Sequence, residues 1–323
     1  MLADADGAAG SAYRDADKRF RLIRGCASEA AAAAAGHLID VDHPGASVRE
    51  VAHAHSSLPR AARIFALRDV DGFYVVRGAL SEETQLHLAR RALTAWAEPP
   101  NVSNLTAHHA ESARSQLWES HRRGEPRGAL LERLSWATLG YHYDWTARQY
   151  SDSARGEFPA EVAELAAEIA HACGAGQLRA EAAIVNYYNA RSAMGGHLDD
   201  AEPDQRTPIV SISVGLSAVY LLGGPTKAVP PLALLLRSGD AVVQGGASRG
   251  CYHGVPLVIA NTAPVEALRA AAGADDELQD AAEWLVTHRI NVNARQVYAD
   301  ARDGDGGRPA SRGYGITGRP DPA

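Results

Sequence analysis

His197 and Asp199 stand two residues apart in GGHLDDAE, and a further histidine, His253, follows in RGCYHGVP. On a β-strand, residues i and i+2 point to one face, so the first pair presents a nitrogen and an oxygen to a common point. A histidine from a distant strand completes two imidazoles and one carboxylate on one face of an octahedron. That donor set leaves positions open for a cosubstrate and dioxygen, which suits non-haem Fe(II). Structural zinc asks for four closed ligands, often thiolates, and no cysteine pair is at hand. The neighbouring Asp200, Glu202 and Asp204 read as a solvated acidic turn.

Two other groups share the two-residue rhythm. In RINVNARQV, Arg289, Asn291, Asn293 and Arg295 fall at even separations, so one strand face carries two guanidiniums and two amides. A soluble strand seldom spends a face this way without an anion, and a bidentate arginine fork fits a dicarboxylate such as 2-oxoglutarate. In IVNYYN, Asn186 and Tyr188 share a face, while Tyr187 points the other way, into packing.

These side chains need strands to carry them. After Leu178, short apolar or alternating runs appear at AAIVNYY, PIVSISVG, SAVYLLGG, LALLLRSGDAVVQGG and RINVNARQVY, punctuated by glycine, proline and serine. Many short strands at close spacing predict a sandwich or jelly roll, within an α+β chain. Earlier, RIFALRDVDGFYVVRGAL reads as strands around a turn at Asp71 and Gly72, and Ser81 starts a helix with acidic residues in its first turn. FPAEVAELAAEIAHACG is an amphipathic helix with a glycine stop, and residues 264–287 form a helical insertion. The expected organisation is an N-terminal helical extension over 1–60, supporting helices and loops over 61–177, a β core over 178–300 and a disordered tail over 301–323.

Composition narrows the partners. The 323-residue chain is 46% hydrophobic and 22% charged, an ordinary globular balance. It has no run of eighteen apolar residues, so no membrane span is expected. Net charge is −7 and pI near 6.0, opposite in sign to a protein that lives on non-specific phosphate contacts. Any nucleic-acid site must then be a local patch, and the densest basic cluster is HRRGEPR, with Arg122, Arg123 and Arg127. Three well-separated cysteines, Cys26, Cys173 and Cys251, argue against a disulfide framework and for a reducing compartment. The N-terminus, MLADADGAAG, has neither the basic flank nor the apolar centre of a secretory signal. An intracellular protein is expected, in nucleus or cytoplasm, with the mitochondrion left open, and a monomer.

The order N-x-Y, H-x-D, distal H, then R-x-N-x-x-x-R resembles the AlkB family of alkylated-nucleic-acid dioxygenases. PNVSNLTAHH, SQLWES, LGYHYDW, RAEAAIVNYY and RINVNARQV are similar to its homologue 1 subfamily. The resemblance runs from about residue 12 to 298 and is weakest in the helical insertion. It implies a double-stranded β-helix, with a nucleotide-recognition lid within 61–177. Iron would be held by His197, Asp199 and His253, and 2-oxoglutarate contacted by Asn186, Tyr188, Arg289, Asn291 and Arg295. Trp118, Tyr141, His142, Tyr143 and Lys227 fall where the family contacts substrate, and stacking on aromatic faces is how a flipped base is held. The implied reaction is oxidative demethylation of N6-methyladenine in DNA or of methylated transfer-RNA bases, releasing formaldehyde, succinate and CO2. Ala201 departs from the bacterial prototype, which has an acidic residue there, so the prototype's base preference does not transfer. A protein hydroxylase with the same iron site and a non-catalytic methylated-nucleic-acid reader are the alternatives; the reader would need a broken triad.

Overall fold

The structure, a computed structural model, describes residues 11–52, 57–144 and 149–299. Two helices come first, α1 (Ala12–Arg21) and α2 (Glu29–Ala35), capped by the hydroxyls of Ser11 and Ser28. Strands β1 (Leu38–Ile39), β2 (Val48–Val51), β3 (Arg63–Leu67) and β4 (Phe73–Arg77) follow. Next come α3 (Glu82–Arg91), β5 (Val102–Ser103), α4 (Glu111–Arg114), α5 (Leu117–Arg122), β6 (Trp136–Asp144), β7 (Gln149–Arg155) and α6 (Ala160–Ala172). The remainder is β8 (Ala182–Asn189), β9 (Met194–His197), β10 (Ile209–Gly215), β11 (Ala218–Leu222), β12 (Leu232–Leu236), β13 (Ala241–Gln244), β14 (His253–Val258), α7 (Val265–Ala272), α8 (Asp276–Leu285) and β15 (His288–Arg295).

Among the described residues, one sheet runs β1-β12-β11-β14-β9 and the other β2-β3-β4-β13-β10-β15-β8-β6-β5, with β7 paired to β6. Strand alternation sorts the larger sheet's side chains. Val185, Val210, Ile212, Val214, Ile290 and Val292 join a core with residues of α3, α6, α7 and α8. Phe65, Phe73, Val75 and Val242 meet Tyr220, Leu222, Leu234 and Leu236 of the smaller sheet in a second core. The smaller sheet's outer face is covered by Tyr13 and Phe20 of α1 and Ala32 of α2. The layers are therefore helix, sheet, sheet, helix, and the expected α+β jelly roll is the architecture observed.

Two expectations on domain limits are corrected. The 1–60 segment is not only helical: β1 pairs in parallel with β12, and β2 with β3. Nor does the sheet core start at 178, since the β3–β4 hairpin extends the larger sheet through β4 and β13. Alternating apolar residues in RIFAL and FYVVR carry no mark of which sheet they join; pairing with β13, well over 100 residues later, decides it. The turn between β3 and β4 works as expected: Gly72 has φ +77°, and a Cβ there would stand 2.1 Å from the Gly245 carbonyl. The helical insertion is the pair α7 and α8, and the tail expectation lies outside the described residues.

Candidate metal centre and adjoining cavity

β9 and β14 are antiparallel neighbours, and their register sets His253 directly opposite His197. The two imidazole centroids are 4.4 Å apart. β9 stops at His197, so Asp199 reaches the pair from irregular backbone rather than from the expected strand. Its Oδ2 lies 3.5 Å from His253 Nε2 and its Oδ1 3.9 Å from His197 Nε2. One donor atom from each residue lies within 4.8 Å of the others. Each Nδ1 is spoken for, at 3.0 Å from the Gly195 carbonyl for His197 and 3.2 Å from the Cys251 carbonyl for His253. Donation there leaves both Nε2 atoms as lone-pair donors. His253 Nε2 and Asp199 Oδ2 are buried without a hydrogen-bond partner, an expensive state unless a cation completes it. Two imidazole nitrogens and one carboxylate fit Fe(II). Burial and the neighbouring His253 hold the His197 imidazole down at about 4, and so neutral. Burial alone would raise the Asp199 carboxyl, but Arg295, and then His253, hold it well below the usual range.

The cavity beside this cluster is walled by β8, β10 and β15. Arg289 lies across from Tyr188 and Asn291 across from Asn186, while Ser213 and Ser211 face Asn291 and Asn293 from the other side. All of these but Ser213 line one cavity together with His197 and His253. Its notable member is Arg289. The side chain is 1% exposed, donates from Nη1 to the Leu216 carbonyl (2.9 Å) and from Nη2 to Ser213 Oγ (2.6 Å), and leaves Nε without a partner. Among the described residues no carboxylate pairs with it. Burial pushes its pKa down to about 10. A buried guanidinium without a counter-ion, next to open amides, asks for an anionic ligand. Asn293 Oδ1 also lacks a partner there.

At the metal end, Arg295 Nη1 sits 3.2 Å from Asp199 Oδ1 and 2.9 Å from Glu202 Oε1. Arg249 meets Glu202 Oε2 at 2.8 Å and donates to the Asp199 main-chain carbonyl. The reading of Glu202 and Asp204 as a solvated turn is overturned: both are buried, Glu202 to 2% exposure. For Glu202 the reason is pairing from afar, since Arg295 and Arg249 arrive from β15 and from the turn before β14, while Asp204 is held by nearby Arg206.

The expected substrate contacts divide. Tyr141, His142 and Tyr143 lie on β6, whose partner β7 brings Tyr150 OH to 3.0 Å from Glu202 Oε1. Tyr143 packs 5.2 Å from the Tyr150 ring, Tyr141 is buried with Arg155 4.6 Å over its ring, and His142 Nδ1 meets Thr138 Oγ1 at 2.8 Å. Burial lowers the His142 imidazole. This hairpin stands at the metal end, although none of the three lines the cavity itself. Trp118 does not belong there. It is 4% exposed, stacks on His121 and belongs to the core on the far side of the larger sheet that also holds Val185 and Leu93. Core packing won because α5 lies against the helical layer. Lys227 is also absent from the cavity: its ammonium sits 5.0 Å over Tyr252, and its carbonyl receives Tyr13 N–H and Ser11 Oγ–H at the start of α1.

Each arginine of the basic cluster has a partner within the chain, at the surface. Arg122 pairs with Asp280 and Glu119, Arg123 with Glu119 at 2.7 Å, and Arg127 donates to the Ser115 carbonyl. Sequence reading passed over Ser211 and Ser213, although their alternation with Val210, Ile212 and Val214 was a usable signal. It also passed over Arg249 and Tyr150, which carry no local mark.

A family model described as the 2OG-Fe(II) oxygenase superfamily matches residues 72–295. A Mus musculus protein named nucleic acid dioxygenase ALKBH1 is 34% identical over 266 residues, covering 75% of this chain and 68% of its own. An Arabidopsis thaliana protein named DNA N(6)-methyladenine demethylase ALKBH1A is 34% identical over 270 residues, covering 73% and 78%. A Schizosaccharomyces pombe protein named tRNA demethylase abh1 is 29% identical over 260 residues, covering 73% and 82%. The solved structure of OsALKBH1 overlays with a TM-score of 0.50 at 22% identity, over 70% of this chain and 96% of that one, a likeness of fold.

Proposed function

Because this chain belongs to the 2OG-Fe(II) oxygenase superfamily, and within it to the AlkB homologue 1 group, we propose that it oxidatively demethylates methylated bases in nucleic acid. Its cofactor is Fe(II), with 2-oxoglutarate and dioxygen as cosubstrates. His197, Asp199 and His253 hold the metal through Nε2, carboxylate and Nε2. When bound, iron couples oxidative decarboxylation of 2-oxoglutarate to succinate and CO2 with hydroxylation of a substrate methyl carbon. A hydroxylated N-methyl group then loses formaldehyde.

The chain's own residues bind and orient. Arg289 takes the far carboxylate of 2-oxoglutarate in a charge-assisted fork, in a dry setting where such a pair is strong. Asn186, Tyr188 and Asn291 line the path between that carboxylate and the metal. Arg295, beside Asp199, stands where the chelating end of the cosubstrate lies. Tyr141, His142 and Tyr143, on the hairpin tied to Glu202, contact the flipped base. Trp118 and Lys227 have no part in this reading.

The observation that carries the cosubstrate is Arg289: a buried cation with no carboxylate partner among the described residues, facing the same cavity as His197 and His253. For the substrate, the support is the names of the relatives, which include DNA and transfer-RNA demethylases. The test is a panel of oligonucleotides carrying N6-methyladenine in DNA or methylated bases in transfer RNA, read by mass spectrometry for demethylated base and succinate. Demethylation that requires both Fe(II) and 2-oxoglutarate supports the reading. Succinate formed with a protein substrate and never with nucleic acid overturns it.

A further inference from the structure

Glu202 is a buried acid outside the metal triad that does not line the cavity. Its Oε1 accepts from Arg295 Nη1 at 2.9 Å and from Tyr150 OH at 3.0 Å, and its Oε2 accepts from Arg249 Nη2 at 2.8 Å. Both arginines also hold Asp199, Arg295 at the carboxylate and Arg249 at the main-chain carbonyl. Two guanidiniums thus bridge the same two acids.

An arginine that faced Asp199 alone would take a bidentate grip and occupy the oxygens a metal needs. Here Nη1 of Arg295 lies closer to Glu202 than to Asp199, at 2.9 Å against 3.2 Å. Asp199 Oδ2 is left with no hydrogen-bond partner, turned towards His253 Nε2 at 3.5 Å. Charge points the same way. Asp199 and Glu202 balance Arg249 and Arg295, so the quartet does not add net positive charge beside a divalent cation.

We propose that Glu202 is a positioning residue for the metal carboxylate: it draws Arg295 and Arg249 into a shared grip, so that Asp199 Oδ2 stays free for a divalent metal. Through the Tyr150 hydroxyl, the same carboxylate ties the β6–β7 hairpin to the metal end. The proposal rests on the metal-centre reading above.

Mn2+ binding to the metal-free full chain, followed by electron paramagnetic resonance, tests it without any turnover. Glu202→Gln is expected to weaken Mn2+ binding by about 10- to 100-fold, the usual cost of losing a group that orients a ligand. The charge-balanced pair Glu202→Gln with Arg249→Met is expected to stay weak, because Arg295 then has only Asp199 to grip. That pair also carries the test should the single variant fail to melt cooperatively. Tyr150→Phe is expected to bind Mn2+ like the wild type while amides of β6 and β7 exchange faster. Wild-type Mn2+ affinity in Glu202→Gln overturns the proposal. Recovery of full affinity in the double variant also overturns it, by reducing Glu202 to a charge balance. Unchanged amide exchange in Tyr150→Phe removes the tie to the hairpin. A wild-type chain that binds no Mn2+ removes the metal-centre reading first, and this proposal with it.

Discussion

His253 sits directly across the β9–β14 pair from His197, 56 positions earlier in the chain, with their rings 4.4 Å apart. Antiparallel register alone brings the two imidazoles to one side, and Asp199 closes the triangle. Replacing any of His197, Asp199 or His253 with alanine is expected to abolish turnover and to weaken metal binding beyond the about 100-fold cost of a lost outer partner. Circular dichroism should stay native, since none of the three sits in an apolar core. A variant that keeps wild-type turnover would end the triad assignment.

Arg289→Gln removes the buried cation but keeps polar atoms near Ser213 and the Leu216 carbonyl. The apparent KM for 2-oxoglutarate is expected to rise about 30- to 150-fold, equivalent to about 2–3 kcal/mol for a charge-assisted fork. Mn2+ affinity should not move, because Arg289 touches no triad residue. An unchanged KM would assign the far carboxylate to another group.

Trp118 and Tyr143 should separate cleanly. Trp118→Ala opens a cavity in the helical layer and is expected to cost about 3–5 kcal/mol of stability, with nucleic-acid affinity preserved in the folded fraction. Tyr143→Ala is expected to weaken oligonucleotide binding by about 1–3 kcal/mol with little change in Tm. Paired melting and binding curves decide it, and the reverse pattern would return Trp118 to the substrate.

Replacing Arg122, Arg123 and Arg127 together is expected to leave the salt dependence of oligonucleotide binding almost unchanged. Each phosphate contact contributes about 0.9 to the slope, and these side chains already serve Glu119, Asp280 and the Ser115 carbonyl. A slope that falls by about three units would make them phosphate ligands after all.

Acid should loosen the N-terminal layer. Arg237 binds Glu29, Asp40 and Asp42 together, and its hydrogen bonds hold the Asp40 carboxyl below its ordinary value of 3.8. A depressed carboxyl stabilises the fold above that value, and the contribution is lost as pH falls through the folded-state pKa. Amides of α2 are therefore expected to start losing protection as pH falls below 3.8 and to go on losing it down to the folded-state pKa, before the core does. In Arg237→Gln that acid step should be smaller. An acid step equal to the wild type's would take Asp40 out of the account.

Spacing along the chain determined what spacing can determine. Asn186, Tyr188 and the odd-numbered face of RINVNARQV were legible because a strand's two-residue period puts alternate side chains on one face, whereas Asp199 was legible by type and spacing but sits past the end of β9. The strand-rich second half was legible for the same reason, from short alternating runs and their turns. Position in space was not. Glu202 looks like any acid in a polar turn, and its burial follows from Arg249 and Arg295, which lie 47 and 93 residues further on. Trp118 and the arginines of HRRGEPR looked suited to a nucleic acid by type, yet Trp118 went into the core and the arginines found partners in Asp280, Glu119 and the Ser115 carbonyl. Arg289 was legible as an anion binder, but its lack of a carboxylate partner among the described residues is a property of the folded neighbourhood alone. Local periodicity is written in neighbouring residues, whereas desolvation and charge pairing depend on which distant elements close over them.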